Sequence, residues 1–284
     1  MKNSTILIAM GQNASNGEVA RKLEAIRALE ARAVIMIVGE LPVFPYYAIG
    51  VPAYGTSDIP ISWQEEMTTY KAAMKAREDE MEGLLAQHDV SGDVTSVSCE
   101  PAMVADAVGR RAMLCDLMLV TEDLRKPDTL FRQVVYGVLF NSPIALLLND
   151  HDAVALNAPK RIFVAWSTDL HSGRAVHLAL PFLRTAESVI IGTVDPVKNE
   201  FGDGEDPGVD VARWLTHHGC NVTVQQYPSG GQTVGQCILD RAEEVGADLV
   251  VMGSYGHSRT RQAFFGGTTR TMVDQTDQAV FLAH

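Results

Sequence analysis

Cys115-Asp116-Leu117-Met118-Leu119-Val120 and Ala247-Asp248-Leu249-Val250-Val251-Met252 are two versions of one pattern: a small residue, an aspartate, then four consecutive apolar residues. Each follows a short polar helix end, and its four-residue apolar run reads as a strand covered on both faces. Working outward, the same doubling holds along the whole chain. Thr5-Ile6-Leu7-Ile8-Ala9-Met10 is answered by Arg161-Ile162-Phe163-Val164-Ala165-Trp166, and each opens a half. Helical periodicity follows in both, at Val19, Leu23, Ile26 and Leu29 and at Val176, Leu180 and Leu183. Ala33 to Val38 then matches Ser188 to Val194, and Val94 to Ser98 matches Asn221 to Gln225. A helix bearing Val104, Ala107 and Val108 matches one bearing Val234, Ile238 and Ala242, and each half closes on a last apolar strand, Ile144 to Leu148 and Ala279 to Leu282.

Alternating strands and helices with near-continuous Val/Ile/Leu strands predict parallel sheets covered by helices on both faces. Each half is thus expected to be a doubly wound α/β domain of five strands. The 284 residues agree with two domains at about 150 residues each. The seam is polar and turn-rich, Asn149-Asp150-His151-Asp152 and Asn157-Ala158-Pro159-Lys160. The expected division is therefore 1–149, a linker at 150–159, and 160–284. The first half carries an extra segment, Pro42-Val43-Phe44-Pro45-Tyr46-Tyr47, with a long helix from about Trp63 to Gln87. In the second half only a loop from Glu200 to Gly208 and a short helix around Val211 to His217 stand there. The aromatic segment through Tyr54 and Pro60 is read as packing on its own domain, with a lid or partner surface as the other reading.

Hydrophobic residues make up 46% and charged residues 20%, enough apolar content for a core. Acidic residues number 35 against 23 basic ones, a net charge of −12, which repels phosphate polymers and anionic lipid. Nucleic-acid and membrane partners are disfavoured. No stretch approaches the roughly 18 apolar residues of a membrane span, so the expected location is the cytoplasm. The four cysteines, Cys99, Cys115, Cys220 and Cys237, contain no CxxC pair and are read as reduced thiols.

In open parallel sheets ligands bind beyond the carboxyl ends of the strands, where the winding reverses. There the second half runs Gly253-Ser254-Tyr255-Gly256-His257-Ser258-Arg259-Thr260-Arg261-Gln262-Ala263-Phe264-Phe265-Gly266-Gly267-Thr268. Gly253 and Gly256 permit sharp turning and close approach, and Gly266-Gly267-Thr268 reads as the entry to the last helix. Free N–H groups gathered at one point suit phosphate oxygens. The spacing is G-x2-G-x9-G.

With that motif behind a located strand, the chain resembles the universal stress protein family, as two tandem copies covering essentially its whole length. The resemblance implies an adenine nucleotide, ATP, with Mg2+ as its companion ion, held by the loops after the first, second and fourth strands of the second half. Carried over, Gly253, Gly256, Gly266, Gly267 and Thr268 cradle ribose and phosphates, and Val194 lies against adenine. Ala165 and Met252 end the neighbouring strands, and His257 and Arg259 belong to the loop. Two positions depart from the pattern. The aspartate after the first strand is Ser167 here, with Asp169 two places on, and the hydroxyl expected at Gly267 moves to Thr268. The fold implied is two tandem doubly wound domains, each with a mostly parallel five-stranded sheet flanked by helices. They are expected to pack as an internal pseudo-twofold pair whose last strands lie together. A homodimer on top of that pair and an unidentified protein partner stay open.

The first half lacks the motif. Thr121-Glu122-Asp123-Leu124-Arg125-Lys126-Pro127-Asp128 runs on with one glycine, Gly137, and Glu122 and Asp123 put carboxylates where phosphates should go. This degenerate copy is expected to bind no nucleotide and to serve as a built-in partner. The rival to nucleotide sensing is a scaffold whose glycine loop is a relic and whose aromatic segment docks a partner. No Walker lysine, metal-holding acidic pair or base aimed at a water accompanies the motif, so slow ATP turnover is the most the resemblance allows.

Weaker signals have plainer readings. Ser229-Gly230-Gly231-Gln232-Thr233 follows the third strand, so it is a turn into a helix and not a pyrophosphatase-type phosphate loop. His171 and His177, and His217 beside His218, lack metal-ligand spacing. His257 has no acid partner or nucleophile at a recognisable spacing. Arg259 and Arg261 either clamp phosphates or balance surface acid. Glu65-Glu66 and Glu78-Asp79-Glu80 belong to a solvated helix face.

Overall fold

In strand β1 (Thr5–Met10), Ile6, Ile8 and Met10 turn to one side and Leu7 and Ala9 to the other, and all five are fully buried. Side chains alternate along a strand, so a run apolar at every position needs cover on both faces. The computed structural model, which describes residues 1–45, 59–126, 128–197, 205–254 and 265–284, supplies it with helices on each side. The first half continues with α1 (Asn16–Ala28), β2 (Arg32–Glu40), α2 (Ile61–Gln87), β3 (Gly92–Cys99), α3 (Pro101–Ala112), β4 (Leu117–Val120), α4 (Asp128–Asn141) and β5 (Ala145–Leu148). After α5 (Val154–Asn157) the second half runs β6 (Arg161–Ala165), α6 (Leu170–Leu183), β7 (Ser188–Val194), α7 (Val209–His217), β8 (Val222–Tyr227), α8 (Val234–Glu244), β9 (Leu249–Gly253), α9 (Gly267–Asp274) and β10 (Val280–Ala283).

The expected pair of separate five-stranded sheets does not form. One mixed sheet of ten strands spans the chain in the order β3-β2-β1-β4-β5-β10-β9-β6-β7-β8. Every pairing is parallel except that of β5 with β10, where Leu146, Leu147 and Leu148 lie antiparallel to Leu282, Phe281 and Val280. The reason is the chemistry of those two strands. Each would be the outer edge of its half, yet each is entirely apolar, and an exposed edge would leave a row of backbone N–H and C=O groups unpaired. Pairing edge to edge removes both.

The core follows the sheet and not the halves. One apolar layer runs along one face from Ile8 through Leu147 and Phe281 to Val251 and Ile191. The other face carries Leu7, Val120, Leu146, Leu282, Val250 and Phe163.

The polar seam is tied down as well. Ala153, Ala155 and Leu156 are buried, and the Asp150 carboxylate accepts the N–H groups of Ala155 (3.0 Å) and Leu156 (2.8 Å). Buried Asn149, in the left-handed region at φ 61°, donates from Nδ2 to the carbonyls of Gln275 and Gln278.

Helix α2 starts directly after Pro60 and touches the core through Met74, Met81 and Leu85, leaving Lys75 to pair with Asp79 at 2.8 Å on the solvated side. The aromatic segment is described only to residue 45. Within that part Phe44 meets Trp63 edge to face at 4.9 Å, and the Trp63 indole donates to the Pro42 carbonyl. Residues 46–58 lie outside the described chain, as do 198–204 and 255–264. Among the described residues no helix is long and apolar enough to cross a membrane.

Candidate functional site

The winding reverses between β6 and β9, which are neighbours in the sheet although a long stretch of chain separates them. Beyond their carboxyl ends lies a cavity of about 350 Å³. Ala165 ends β6, Ser167 and Asp169 follow it, Val194 ends β7, Met252 and Gly253 end β9, and Thr268 belongs to the first turn of α9. All seven line this cavity. Gly266 caps α9 and Gly267 is its first residue, beside Thr268. Gly256, His257 and Arg259 lie outside the described residues.

Six further lining residues were not read as site residues in the sequence: Trp166, Ser172, Gly192, Val234, Ile238 and Thr269. Gly192 carried a signal, since a glycine inside an apolar strand marks a close approach. A Cβ there would overlap the ring of Phe163. Val234 and Ile238 stand four apart on α8, a spacing that puts them on one helix face without saying what that face meets.

Three side chains on the β6 side form a local network. The Asp169 carboxylate accepts the Ser172 N–H at 2.8 Å, making it the N-cap of α6, and accepts the Ser167 hydroxyl at 2.5 Å. The Ser167 and Ser172 hydroxyls are 3.1 Å apart. At the opposite wall α9 begins on Gly266 with no side-chain cap, and Thr268 and Thr269 of its first turn line the cavity. Asp195, next to Val194, has its carboxyl held below the usual range by the hydroxyl and N–H of Ser229.

The two glycines that flank the loop differ in surroundings. A Cβ on Gly253 would sit 2.5 Å from the His171 carbonyl carbon and the Ser172 nitrogen, so β9 and the start of α6 touch there. At Gly267 a Cβ meets nothing within 4 Å.

Elsewhere the turn reading of residues 229–233 fits the geometry. Gly230 and Gly231 have positive φ and lead into α8, whose N-cap Thr233 accepts the Gln236 N–H. His218 packs on Trp214 with ring centres 4.1 Å apart, and His177 packs on the same indole at 4.6 Å. Among the described residues no group of three or more His, Cys, Asp or Glu could hold a metal ion. The first half has a smaller cleft, about 210 Å³, where β1 and β2 end, lined by Gly11, Asn13, Val38 and Asp123 among others.

Residues 229–284 match the model of the universal stress protein family. A search of curated proteins finds no match to the chain. Among solved structures, a universal stress protein from Archaeoglobus fulgidus DSM 4304 superposes with a TM-score of 0.69 at 16% identity, over 99% of this chain and 96% of that one. A protein from Pseudomonas aeruginosa UCBPP-PA14, provisionally named a universal stress protein, gives 0.56 at 11% identity over 99% and 93%. A functionally unknown protein from Pseudomonas aeruginosa PAO1 gives 0.55 at 13% identity over 99% and 92%. At these identities the likeness is one of fold.

Proposed function

We propose that this chain, whose residues 229–284 match the universal stress protein family model, is a stress-response regulator of that family that binds an adenine nucleotide, ATP, in the cavity where β6, β7 and β9 end. The carrying observation is that seven of the residues named from the family resemblance line one cavity. Its volume of about 350 Å³ falls within the range of small-ligand sites, about 300–1,000 Å³. The lining suits the ligand in kind. Ala165, Val194, Val234, Ile238 and Met252 offer apolar cover for a purine, Ser167 and Thr268 offer hydroxyls, and the start of α9 offers N–H groups for phosphate oxygens. Among the described lining residues Asp169 is the one carboxylate, and it already accepts two hydrogen bonds, so Mg2+ would be held chiefly by the nucleotide's own phosphates.

In this reading residues 1–149 and 160–284 are two copies of one unit, the first acting as built-in partner to the second. The repeated strand order, β3-β2-β1-β4-β5 against β8-β7-β6-β9-β10, supports it. ATP at a hundredfold excess over its dissociation constant should stabilise the protein by about 2.7 kcal/mol. Gly256→Trp should abolish that gain while the protein stays folded. Flat calorimetric traces with adenosine mono-, di- and triphosphate would end the proposal.

One observation favours a second reading, a scaffold without a small-molecule ligand: contact with α6 already explains Gly253. Acid extraction of freshly purified protein separates the two, since only a sensor releases a purine-absorbing nucleotide.

A further inference from the structure

The two halves carry the same pairing around their first strands: Ile6 pairs with Leu117 and Ala33 as Ile162 pairs with Leu249 and Val189. Counting from those pairs, Gly11 stands where Ser167 stands, Asn13 where Asp169 stands, and Val38 where Val194 stands. The first half's cleft is therefore the counterpart of the cavity described above, and its content differs. The Asp123 carboxylate accepts the Gly11 N–H on Oδ1 at 3.2 Å and the Asn13 N–H on Oδ2 at 3.1 Å, and the Thr121 hydroxyl donates to Oδ1 at 2.6 Å. A Cβ on Gly11 would overlap that carboxylate. A second acid uses the next donor: the Glu18 carboxylate accepts the Glu122 N–H at 3.2 Å and holds Lys22 at 3.4 Å. Counted the same way, Asp123 corresponds to residue 255, within the loop that carries the glycine motif.

We propose that Asp123 is the first half's built-in anion: its carboxylate occupies the place an external anion would take, joins the loop after β1 to the loop after β4, and so confines anionic ligands to the second half. The confinement to the second half rests on the nucleotide reading given above; the occupancy by Asp123 does not. A carboxylate that accepts two backbone N–H groups and a hydroxyl satisfies the donors that a phosphate or carboxylate ligand would need. Its fixed charge also repels a second anion at close range.

Chemical rescue tests this on the full-length chain. Asp123→Gly deletes the carboxylate and leaves its space, whereas Asp123→Asn fills the space but sets an NH2 against one of the N–H donors. Both should lower the unfolding midpoint by about 2–4 °C. Sodium formate, compared with sodium chloride at equal ionic strength, should restore most of the loss in D123G and none in D123N or the unchanged protein. Any small-anion effect at the second half is common to all three proteins and cancels. If D123G is too unstable to melt cooperatively, its yield on refolding in formate against chloride reads the same rescue. An equal response of D123G and the unchanged protein to formate overturns the proposal. An ATP titration of the unchanged protein is a separate arm. If that arm is flat while D123G gains a formate response, the nucleotide reading fails and the role of Asp123 stands.

Discussion

Asp116 and Asp248 make the same pair of hydrogen bonds to the first strand of their halves, and Asp248 adds a third. Asp116 donates its N–H to the Thr5 carbonyl at 2.8 Å, and its Oδ2 accepts the Thr5 N–H at 2.7 Å. Asp248 donates to the Arg161 carbonyl at 2.8 Å, and its Oδ2 accepts the N–H groups of Arg161 at 2.9 Å and Lys160 at 2.8 Å. Each aspartate fastens the start of the fourth strand of its half to the start of the first. Asp116→Ala should cost about 1–2 kcal/mol, and Asp248→Ala more, because it leaves two donors without their acceptor. Urea denaturation of the two variants checks the order, and equal costs would contradict it.

That aspartate was legible as a repeated letter, and so was most of the strand ladder, because a strand buried on both faces is apolar at every position. The α2 helix was legible to within two residues of its start, where Pro60 precedes it. The join between β5 and β10 was not. A run such as Ala145-Leu146-Leu147-Leu148 reports that its neighbours are apolar, not which strand lies beside it. The same limit governs the site. Ser167, Val194 and Met252 stand at strand ends, which local pattern locates, and their place in a site came from the family resemblance. Gly192, Val234 and Thr269 reach the cavity through packing between elements far apart in sequence. Asp123 was legible as an acid in a phosphate position, but its bond to Gly11 crosses 112 residues and leaves no local trace.

The two flanking glycines should respond oppositely to a small side chain. Gly253→Ala drives a methyl into the backbone at His171 and Ser172, and overpacking of this kind costs about 1–3 kcal/mol. Gly267→Ser points into open space at the first residue of a helix, where replacing glycine is neutral or mildly stabilising. It also restores a hydroxyl directly after Gly266, so under the nucleotide reading it should tighten ATP binding. Thermal melts and ATP titrations of both variants measure this, and a G267S protein less stable than G253A would refute the steric argument.

The His284 ring stacks on His171 with centres 4.3 Å apart and meets Phe140 of α4 edge-on at 4.5 Å, while Arg174 donates to the His284 carbonyl at 3.1 Å. Burial first, then the neighbouring His171 and Arg174, hold the His284 imidazole below its ordinary value, which is about 6.5. The folded state therefore favours the neutral ring. Stability tied to this contact is complete above the ordinary value and is lost as pH falls through and below it. His284→Phe keeps an aromatic ring against Phe140 and removes the titration. Between pH 7.5 and 5 the unchanged protein should lose more of its unfolding midpoint than H284F, and parallel curves would show that the stack does not titrate.

A sheet shared by both halves predicts that they unfold together. Phe281 lies at the join: it pairs with Leu147 across the antiparallel contact, packs on Phe182 with ring centres 5.8 Å apart, and is 1% exposed. Phe281→Ala should cost about 3–5 kcal/mol, the usual loss for a buried phenylalanine. Because β10 belongs to the second half and β5 to the first, the loss should be felt on both sides of the join. The three tryptophans can report each side separately, since Trp63 stands in the first half and Trp166 and Trp214 in the second. Urea curves from a protein keeping only Trp63 and from one keeping only the other two should coincide, and F281A should move both midpoints by the same amount. A shift confined to the second-half probes would mean that the ten strands do not act as one cooperative unit.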